Sequence, residues 1–181
     1  MLASGSDDLE IIVWDWHRGN KLFSFQSGHA SNVFQSKFLP LTGDTHIVTT
    51  SRDGQVRLAQ LCATGCRSTR KLAQHKGPAH KLALLTGRPH ELISGGEDGV
   101  IMTLDVRESK PSKLCKQMEN ESTVRIYSVH SSPVDDQLIV SAGSDQYIRL
   151  YDRRKVSTSS PQPLQKFCPH QLVSWKFAYA W

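Results

Sequence analysis

The chain has 181 residues, of which 38% are hydrophobic and 22% charged, values that are typical of a globular protein and exclude disorder over the whole chain. No run approaches the roughly 18 apolar residues of a membrane-spanning helix. Met1–Asp8 has neither a basic start nor an apolar stretch, which predicts an intracellular protein with four free thiols. The formal charge of +5 allows nucleic acid binding, but the charges are scattered and favour solvated loops.

One turn-and-strand pattern occurs four times along the chain. The turn aspartates of the four copies are Asp8, Asp53, Asp98 and Asp145, at spacings of 45, 45 and 47 residues. Six residues after each aspartate comes a strand position, which is held by Trp14, Ala59, Leu104 and Tyr151. A period of about 40–45 residues with four strand-like runs per copy is typical of the blades of a WD-repeat β-propeller.

The alternation of apolar and polar residues predicts the strands of each copy. In the first copy Leu2–Ser6 is the second strand, so that copy lacks its innermost strand. The later copies are predicted to contain the strands Asn32–Leu39, Ile47–Ser51, Val56–Gln60 and Lys71–Ala73, then Lys81–Leu84, Leu92–Ser94, Val100–Leu104 and Lys113–Lys116, then Arg125–Val129, Leu138–Ser141, Tyr147–Tyr151 and Gln165–Phe167.

The predicted fold is therefore all-β, a partial propeller of about four blades with four antiparallel strands per blade. The propeller covers residues 1–171, with copies near 2–25, 29–73, 75–117 and 123–167 and the start of a fifth at 168. Because such a partial propeller leaves strand edges open, we expect it to be prone to aggregation. The segment 172–181 is aromatic, lacks a turn aspartate and does not continue the repeat. It is interpreted as a non-native end or, alternatively, as a docking segment for a membrane surface or a partner.

The turn aspartates are predicted to be structural. An aspartate in a turn accepts backbone N–H groups, and in WD repeats it also bonds a histidine at the start of the blade. His29 precedes Asp53 by 24 residues and His75 precedes Asp98 by 23, whereas the fourth copy has no such histidine. A His–Ser–Asp set could form a nucleophilic triad, but recurrence once per blade favours buried structural bonding over catalysis.

We expect neither a metal nor a cofactor. The metal-like residues Cys62, Cys66, His75 and His80 leave eight residues between the cysteine and histidine pairs, against about twelve in a zinc finger. No glycine-rich phosphate loop occurs, and the sequence predicts that the chain is not an enzyme.

A wider resemblance runs through the blades. It is carried by segments that lie in several copies, namely Ser4–Asp8 with Ile12–Trp16, Ser27–Gln35 with Lys37–Pro40, Arg52–Arg57, Gln74–Gly77 with His80–Leu84, and Lys166–His170. Over residues 2–172 the chain resembles the WD-repeat substrate receptors of the cullin-4 RING ubiquitin ligases. The resemblance implies two partners, the damaged-DNA-binding adaptor of those ligases and an unknown substrate protein, in the nucleus and cytoplasm. Nucleic acid and membranes are not expected as partners.

That family carries an aromatic or apolar residue, Asp, any residue and Arg after the third strand of a blade. Leu104–Arg107 and Tyr151–Arg154 fit the motif and lie 47 residues apart. The resemblance implies that Asp105, Arg107, Asp152 and Arg154 bind the adaptor, because an arginine can make paired hydrogen bonds to carbonyls or carboxylates.

Alternatives to adaptor docking stay open. The same motif occurs as a local ion pair in propellers without a ligase. The first two copies depart from it, since Trp16 and His17 follow Asp15 and Leu61 and Cys62 follow Gln60. A propeller scaffold without a ligase and a basic nucleic-acid-binding propeller are the competing functions.

Overall fold

The computed structural model describes residues 1–156 and 161–168, which contain only β-strands, turns and irregular segments. The strands form three four-stranded antiparallel sheets, one three-stranded sheet and one two-stranded hairpin. The all-β, partial-propeller prediction is confirmed. The fifth copy at 168 and the aromatic segment 172–181 fall almost wholly outside the described residues.

Each sheet is one blade, and its strands follow one another in sequence order. Blade 1 contains β1 (Leu2–Gly5), β2 (Glu10–Asp15) and β3 (Asn20–Gln26). Blade 2 contains β4 (Val33–Phe38), β5 (His46–Ser51), β6 (Gln55–Cys62) and β7 (Gly65–Gln74). Blade 3 contains β8 (Ala79–Leu84), β9 (Glu91–Gly96), β10 (Val100–Asp105) and β11 (Ser112–Lys116). After the hairpin of β12 (Met118–Glu119) and β13 (Ser122–Thr123), blade 4 contains β14 (Ile126–Ser131), β15 (Leu138–Gly143), β16 (Ile148–Asp152) and β17 (Gln165–Phe167).

Most predicted strand ends are shifted by one or two residues, and β3 was not among the predicted strands. Two further differences are larger. Strand β7 begins at Gly65 instead of Lys71, because this exposed outer strand has polar residues on both faces and gives no apolar alternation. The hairpin of β12 and β13 was not predicted at all. It turns through Asn120 and Glu121, both with positive φ, as a two-residue hairpin turn requires.

The apolar cores lie between blades. Ile11 of blade 1 packs with Ile47 of blade 2 in the first core. Val48, the neighbour of Ile47 in β5, points to the other side and packs with Leu82 and Leu92 of blade 3 in the second core. The third core joins blades 3 and 4 and consists of Ala83, Leu85, Ile93, Ile101, Cys115, Ile126, Val129, Ile139 and Tyr151. Successive residues of a strand face opposite sides of the sheet. The middle strands are apolar on both faces and therefore pack against both adjacent blades.

The strand order defines two ends of the blades. The lower face is formed by the loops after the first and third strands of each blade, including 39–45, 85–90, 106–111 and 132–137. The upper face is formed by the turns between the second and third strands, at 6–9, 52–54, 97–99 and 144–147, and by the connections between blades. Residues that follow the third strand therefore lie on the lower face, and the turn aspartates lie on the upper face.

Candidate protein-docking site

Arg107 forms a closed fork with Asp105 at the lower end of β10. Oδ1 of Asp105 accepts the backbone N–H of Arg107 at 2.8 Å and its Nε–H at 3.0 Å. Nη2 of Arg107 donates to Oδ2 at 2.6 Å. The carboxylate thus bends the chain sharply after the strand and fixes the plane of the guanidinium.

Arg154 repeats this fork with Asp152 at the lower end of β16. The backbone N–H and Nε–H of Arg154 donate to Oδ1 of Asp152, each at 3.0 Å, and Nη2 donates to Oδ2 at 2.8 Å. The two forks occupy the same position on adjacent blades and use the same three hydrogen bonds.

The forks keep their charges over the whole physiological pH range. The hydrogen bond from Arg107 lowers the pKa of Asp105 from 3.8 to about 2, and Arg154 does the same for Asp152. The arginine side chains are 66% and 63% exposed. Each guanidinium has five N–H donors, of which its aspartate takes two, so three remain for carbonyl or carboxylate groups of a partner.

Side chains of the lower face tie blades 3 and 4 together between the forks. Nη2 of Arg153 donates to Oε2 of Glu91 across the junction at 2.8 Å. Asp136 of blade 4 accepts the backbone N–H groups of Thr86 and Gly87 of blade 3 at 3.0 and 2.7 Å. These bonds join the loops that flank the forks and fix the position of one fork relative to the other.

A cleft of about 240 Å³ opens beside Arg107 at the junction of blades 2 and 3. Its apolar wall contains Leu39, Leu58 and Val106. Arg70 of β7 donates a hydrogen bond to the carbonyl of Val106, which joins the two blades at this cleft. The cleft can accept an apolar side chain next to the charged fork.

The first two blades do not reproduce the fork. In blade 1, Asp15 accepts the backbone N–H of His17 at 3.1 Å, and Nε of Arg18 lies 3.7 Å from its Oδ2, so the ion pair is longer and lacks the paired bonds. In blade 2 the corresponding turn contains Cys62 and no aspartate. The paired fork is thus confined to blades 3 and 4 among the described residues.

On the upper face, His29 joins the turn of blade 2 to the strand beneath it. Its Nδ1–H donates to the carboxylate of Asp53 at 3.2 Å, and its Nε2 accepts the hydroxyl of Thr49 at 2.8 Å. Asp53 also accepts the N–H groups of Ala30 at 2.9 Å and Gln55 at 2.8 Å. Burial lowers the pKa of His29 by more than the charge and hydrogen bond of Asp53 raise it, so the ring is neutral at neutral pH.

Blade 3 contains the same arrangement. Nδ1 of His75 lies 3.0 Å from Oδ1 of Asp98, and its Nε2 lies 2.8 Å from the hydroxyl of Ser94. Burial alone would raise the pKa of Asp98, but bonds from His75 and from the backbone of Lys76 and Val100 outweigh it and lower the pKa. The side chains of His75 and Ser94 are buried, and the carboxylate of Asp98 also accepts the backbone N–H groups of Lys76 and Val100.

Blade 4 replaces the histidine with two residues that the sequence analysis missed. Gln117 is buried, and its Nε2 donates to the hydroxyl of Ser141 at 3.0 Å. Arg149 instead contacts the turn aspartate, with Nη1 3.0 Å from Oδ1 of Asp145, and its Nη2 donates to Glu119 at 2.8 Å. The hairpin of β12 and β13 lengthens the spacing between Gln117 and Ser141, which hid the equivalence; an arginine inside an apolar strand was the available signal.

The remaining residues of the repeat have separate roles. Nε1 of Trp14 donates to the hydroxyl of Ser4 at 2.8 Å. Asp8 is exposed and accepts the N–H of Glu10 at 2.9 Å. Tyr151 is buried in the core between blades 3 and 4, where burial raises its pKa to about 12.

The metal-like residues are kept apart by other bonds. His75 is held by Asp98 and Ser94, while Nε2 of His80 lies 2.8 Å from Oε1 of Glu97. In the described part of the chain, no three histidine, cysteine or acidic side chains are grouped so as to hold a metal ion. That part also contains no helix long and apolar enough to cross a membrane.

Comparisons with known proteins agree with the repeat. The family model described as WD domain, G-beta repeat matches residues 113–152. The chain is 31% identical to the WD and tetratricopeptide repeats protein 1 of Homo sapiens over 186 residues, which cover 94% of this chain and 26% of that protein. It is 29% identical to Protein ALTERED SEED GERMINATION 2 of Arabidopsis thaliana over 95% of this chain and 28% of that protein.

A third relative is the DDB1- and CUL4-associated factor 6 of Mus musculus, 30% identical over 87% of this chain and 18% of that protein. The chain therefore spans between 18% and 28% of the length of these relatives. The family match shows a WD repeat at residues 113–152, and the repeated four-stranded sheets give the chain a partial β-propeller fold.

Proposed function

We propose that the chain is a protein-binding WD-repeat scaffold that acts as a substrate receptor of a cullin-4 ubiquitin ligase. In this proposal Arg107 and Arg154 bind the damaged-DNA-binding adaptor through the lower face. The propeller recruits a target protein for ubiquitination, and the transfer of ubiquitin takes place on other subunits. The chain itself has no catalytic role and works in the nucleus and cytoplasm.

The observation that carries the proposal is the pair of identical forks on adjacent blades. Arg107 and Arg154 are both more than half exposed, and each is oriented by a carboxylate that stays ionised. A purely local ion pair needs no exposed donors, whereas two oriented guanidinium groups on one face suit paired hydrogen bonding to a partner.

The relatives add support. The printed name of the DDB1- and CUL4-associated factor 6 links that protein to the adaptor and to cullin-4. Among such receptors, the segments quoted in the sequence analysis resemble the damaged-DNA-binding and cullin-4-associated factor eight. That finer assignment is part of the proposal.

The test is the affinity of the purified chain for the adaptor, measured by biolayer interferometry. We expect the double variant Arg107→Ala/Arg154→Ala to bind at least about tenfold more weakly, because hydrogen bonds to charged groups contribute roughly 1.5–3 kcal/mol each. Asp105→Asn/Asp152→Asn retains both arginines but loses their fixed orientation, and we expect an intermediate loss.

The control variant is Arg52→Ala/Arg125→Ala, which removes the same charge from exposed residues of the upper face. It should bind like the wild type, and circular dichroism should show that all variants are folded. Equal binding by the Arg107/Arg154 variant, or no binding by the folded wild type, would leave a scaffold without a ligase. Affinity for nucleic acid that falls steeply with salt would instead support the nucleic-acid alternative.

A further inference from the structure

Three aromatic side chains occupy equivalent positions at the upper ends of the inner strands. Phe34, His80 and Tyr127 are the second residues of β4, β8 and β14. In each blade the pairing with the next strand shifts register at this residue, as at a β-bulge. A bulged residue is released from the ladder and can turn its side chain out of the sheet, so the same device recurs on three adjacent blades.

The three rings contact one another across the blade junctions. The rings of Phe34 and His80 stack with centroids 4.8 Å apart and planes at 5°. The rings of His80 and Tyr127 meet edge to face at 5.3 Å. His80 is further anchored by its hydrogen bond of 2.8 Å to Glu97. We call these three residues the aromatic row.

The aromatic row remains open to solvent. Phe34 is 38% and Tyr127 41% exposed, although both are large apolar side chains that a folded protein tends to bury. A continuous set of exposed, mutually fixed rings offers contact area whose side-chain entropy is already lost, which is what an anchor for a partner needs.

The surroundings of the row are cationic. Arg52, Lys76, Lys81 and Arg125 are exposed on the strands and turns beside it. The nearby turn carboxylates Asp53 and Asp98 are engaged by histidines and backbone N–H groups, as described above. Glu97 is engaged by His80 and lies 4.0 Å from Nε of Arg125. Asp7 and Asp8 are exposed in the turn of blade 1 that bonds Val33, so the four basic side chains outnumber these two acidic ones around the row.

We propose that the aromatic row is a docking surface for an acidic peptide segment that carries aromatic or apolar side chains. The rings receive the apolar side chains, and Arg52, Lys76 and Arg125 attract the acidic groups. A single-stranded nucleic acid fits less well. Phe34 and His80 stack on each other, so one face of each ring is covered and fewer ring faces remain for stacking with successive bases.

The row and the forks can be occupied at the same time. The row is at the upper end of the six-residue first strands of blades 2, 3 and 4, and the forks are at the lower end of the third strands of blades 3 and 4. At about 3.3 Å per residue the two surfaces lie roughly 20 Å apart. Peptide binding at the row therefore does not depend on adaptor docking.

The test is fluorescence anisotropy with the whole chain and a fluorescein-labelled peptide of about ten residues, made of glutamate, aspartate and two phenylalanines. We expect Phe34→Ala/Tyr127→Ala to weaken binding by about tenfold or more, since anchor residues at interfaces contribute on that scale. Arg125→Gln should weaken binding by a few-fold and reduce its dependence on salt.

Matched controls separate the row from other surfaces. Phe167→Ala removes an exposed phenylalanine from the outer strand of blade 4, and Arg107→Ala/Arg154→Ala removes the forks; both should bind the peptide as the wild type does. Unchanged affinity of the folded Phe34/Tyr127 variant would overturn the proposal. Equal affinity for a peptide with lysines in place of its acidic residues would also overturn it, as would displacement of the peptide by oligothymidine that binds more tightly.

Discussion

At the scale of single residues, the role that a histidine has in blades 2 and 3 is taken by a glutamine and an arginine in blade 4. His29 and His75 each link a turn aspartate to a strand hydroxyl through a single imidazole ring. Blade 4 divides the task, with Gln117 bonding the hydroxyl and Arg149 bonding the aspartate. A histidine can titrate near neutral pH, whereas glutamine cannot and arginine stays charged.

This difference predicts how acid acts on the fold. Burial lowers the pKa of His29 from 6.5, so the unfolded chain takes up its proton first and acidification below about pH 6.5 destabilises the folded state. Urea unfolding from about pH 7.5 to about pH 5.5 should therefore show a declining free energy of unfolding. His29→Gln should have a flatter decline than the wild type; parallel curves for the two proteins would contradict the assignment.

The residue-level site could be foreseen only where its spacing was regular. The pairing of each histidine with an aspartate 23 or 24 residues later follows from blade length, and Asp–x–Arg after a strand predicts a local fork. Gln117 was missed because the inserted hairpin lengthens its spacing to Ser141 to 24 residues. Arg149 was missed because an arginine inside an apolar strand was given no structural role. The aromatic row was not predicted, because a β-bulge shifts the register and the alternation of residues then no longer tells which side of the sheet a side chain faces.

At the scale of elements, the turns between the second and third strands of blades 1, 2 and 3 share one left-handed residue with different side chains. Gly54 and Gly99 have φ of +78° and +73°, and Leu9 takes the same left-handed conformation in blade 1 at +71°. The strand prediction worked best for inner and middle strands, which bury apolar residues on both faces. It failed for β7, whose exposed residues carry no such pattern.

Gly54→Ala should destabilise the chain by about 2 kcal/mol or more, because a Cβ at Gly54 would lie 2.7 Å from two backbone carbonyl oxygens in a left-handed conformation. Leu9→Gly should change the stability by less than about 1 kcal/mol, since relief of strain and the entropy of the unfolded chain offset each other. Urea unfolding measures both, and a tolerated Gly54→Ala would show that the turn can move away.

At the scale of the whole molecule, the cores sit at the blade junctions, so each blade is stable only through its neighbours. The all-β propeller class followed from the period of the sequence. The division into one core per junction needed the structure, because the two-sided burial of β5 and β9 is indistinguishable in sequence from a single buried core.

Cys115 can report on the junction of blades 3 and 4. It is fully buried in that core, and burial raises its pKa to about 11, whereas Cys62 is exposed with a lowered pKa owing to hydrogen bonds from Thr64. Iodoacetamide should label Cys62 rapidly and Cys115 only when the blades separate. Mass spectrometry of timed samples measures both rates, and fast labelling of Cys115 in the folded chain would show that this junction opens readily.

The ties across the lower face have a consequence for how strongly any partner is held. Arg153 with Glu91, and Asp136 with the loop of blade 3, keep the two arginine forks at one separation. A partner that binds one fork meets the second fork at a high effective concentration. Two weak contacts therefore give a higher overall affinity through bivalent binding. Loss of the bond between Arg153 and Glu91 would lower this affinity without changing either fork, because the separation of the two forks would no longer be fixed.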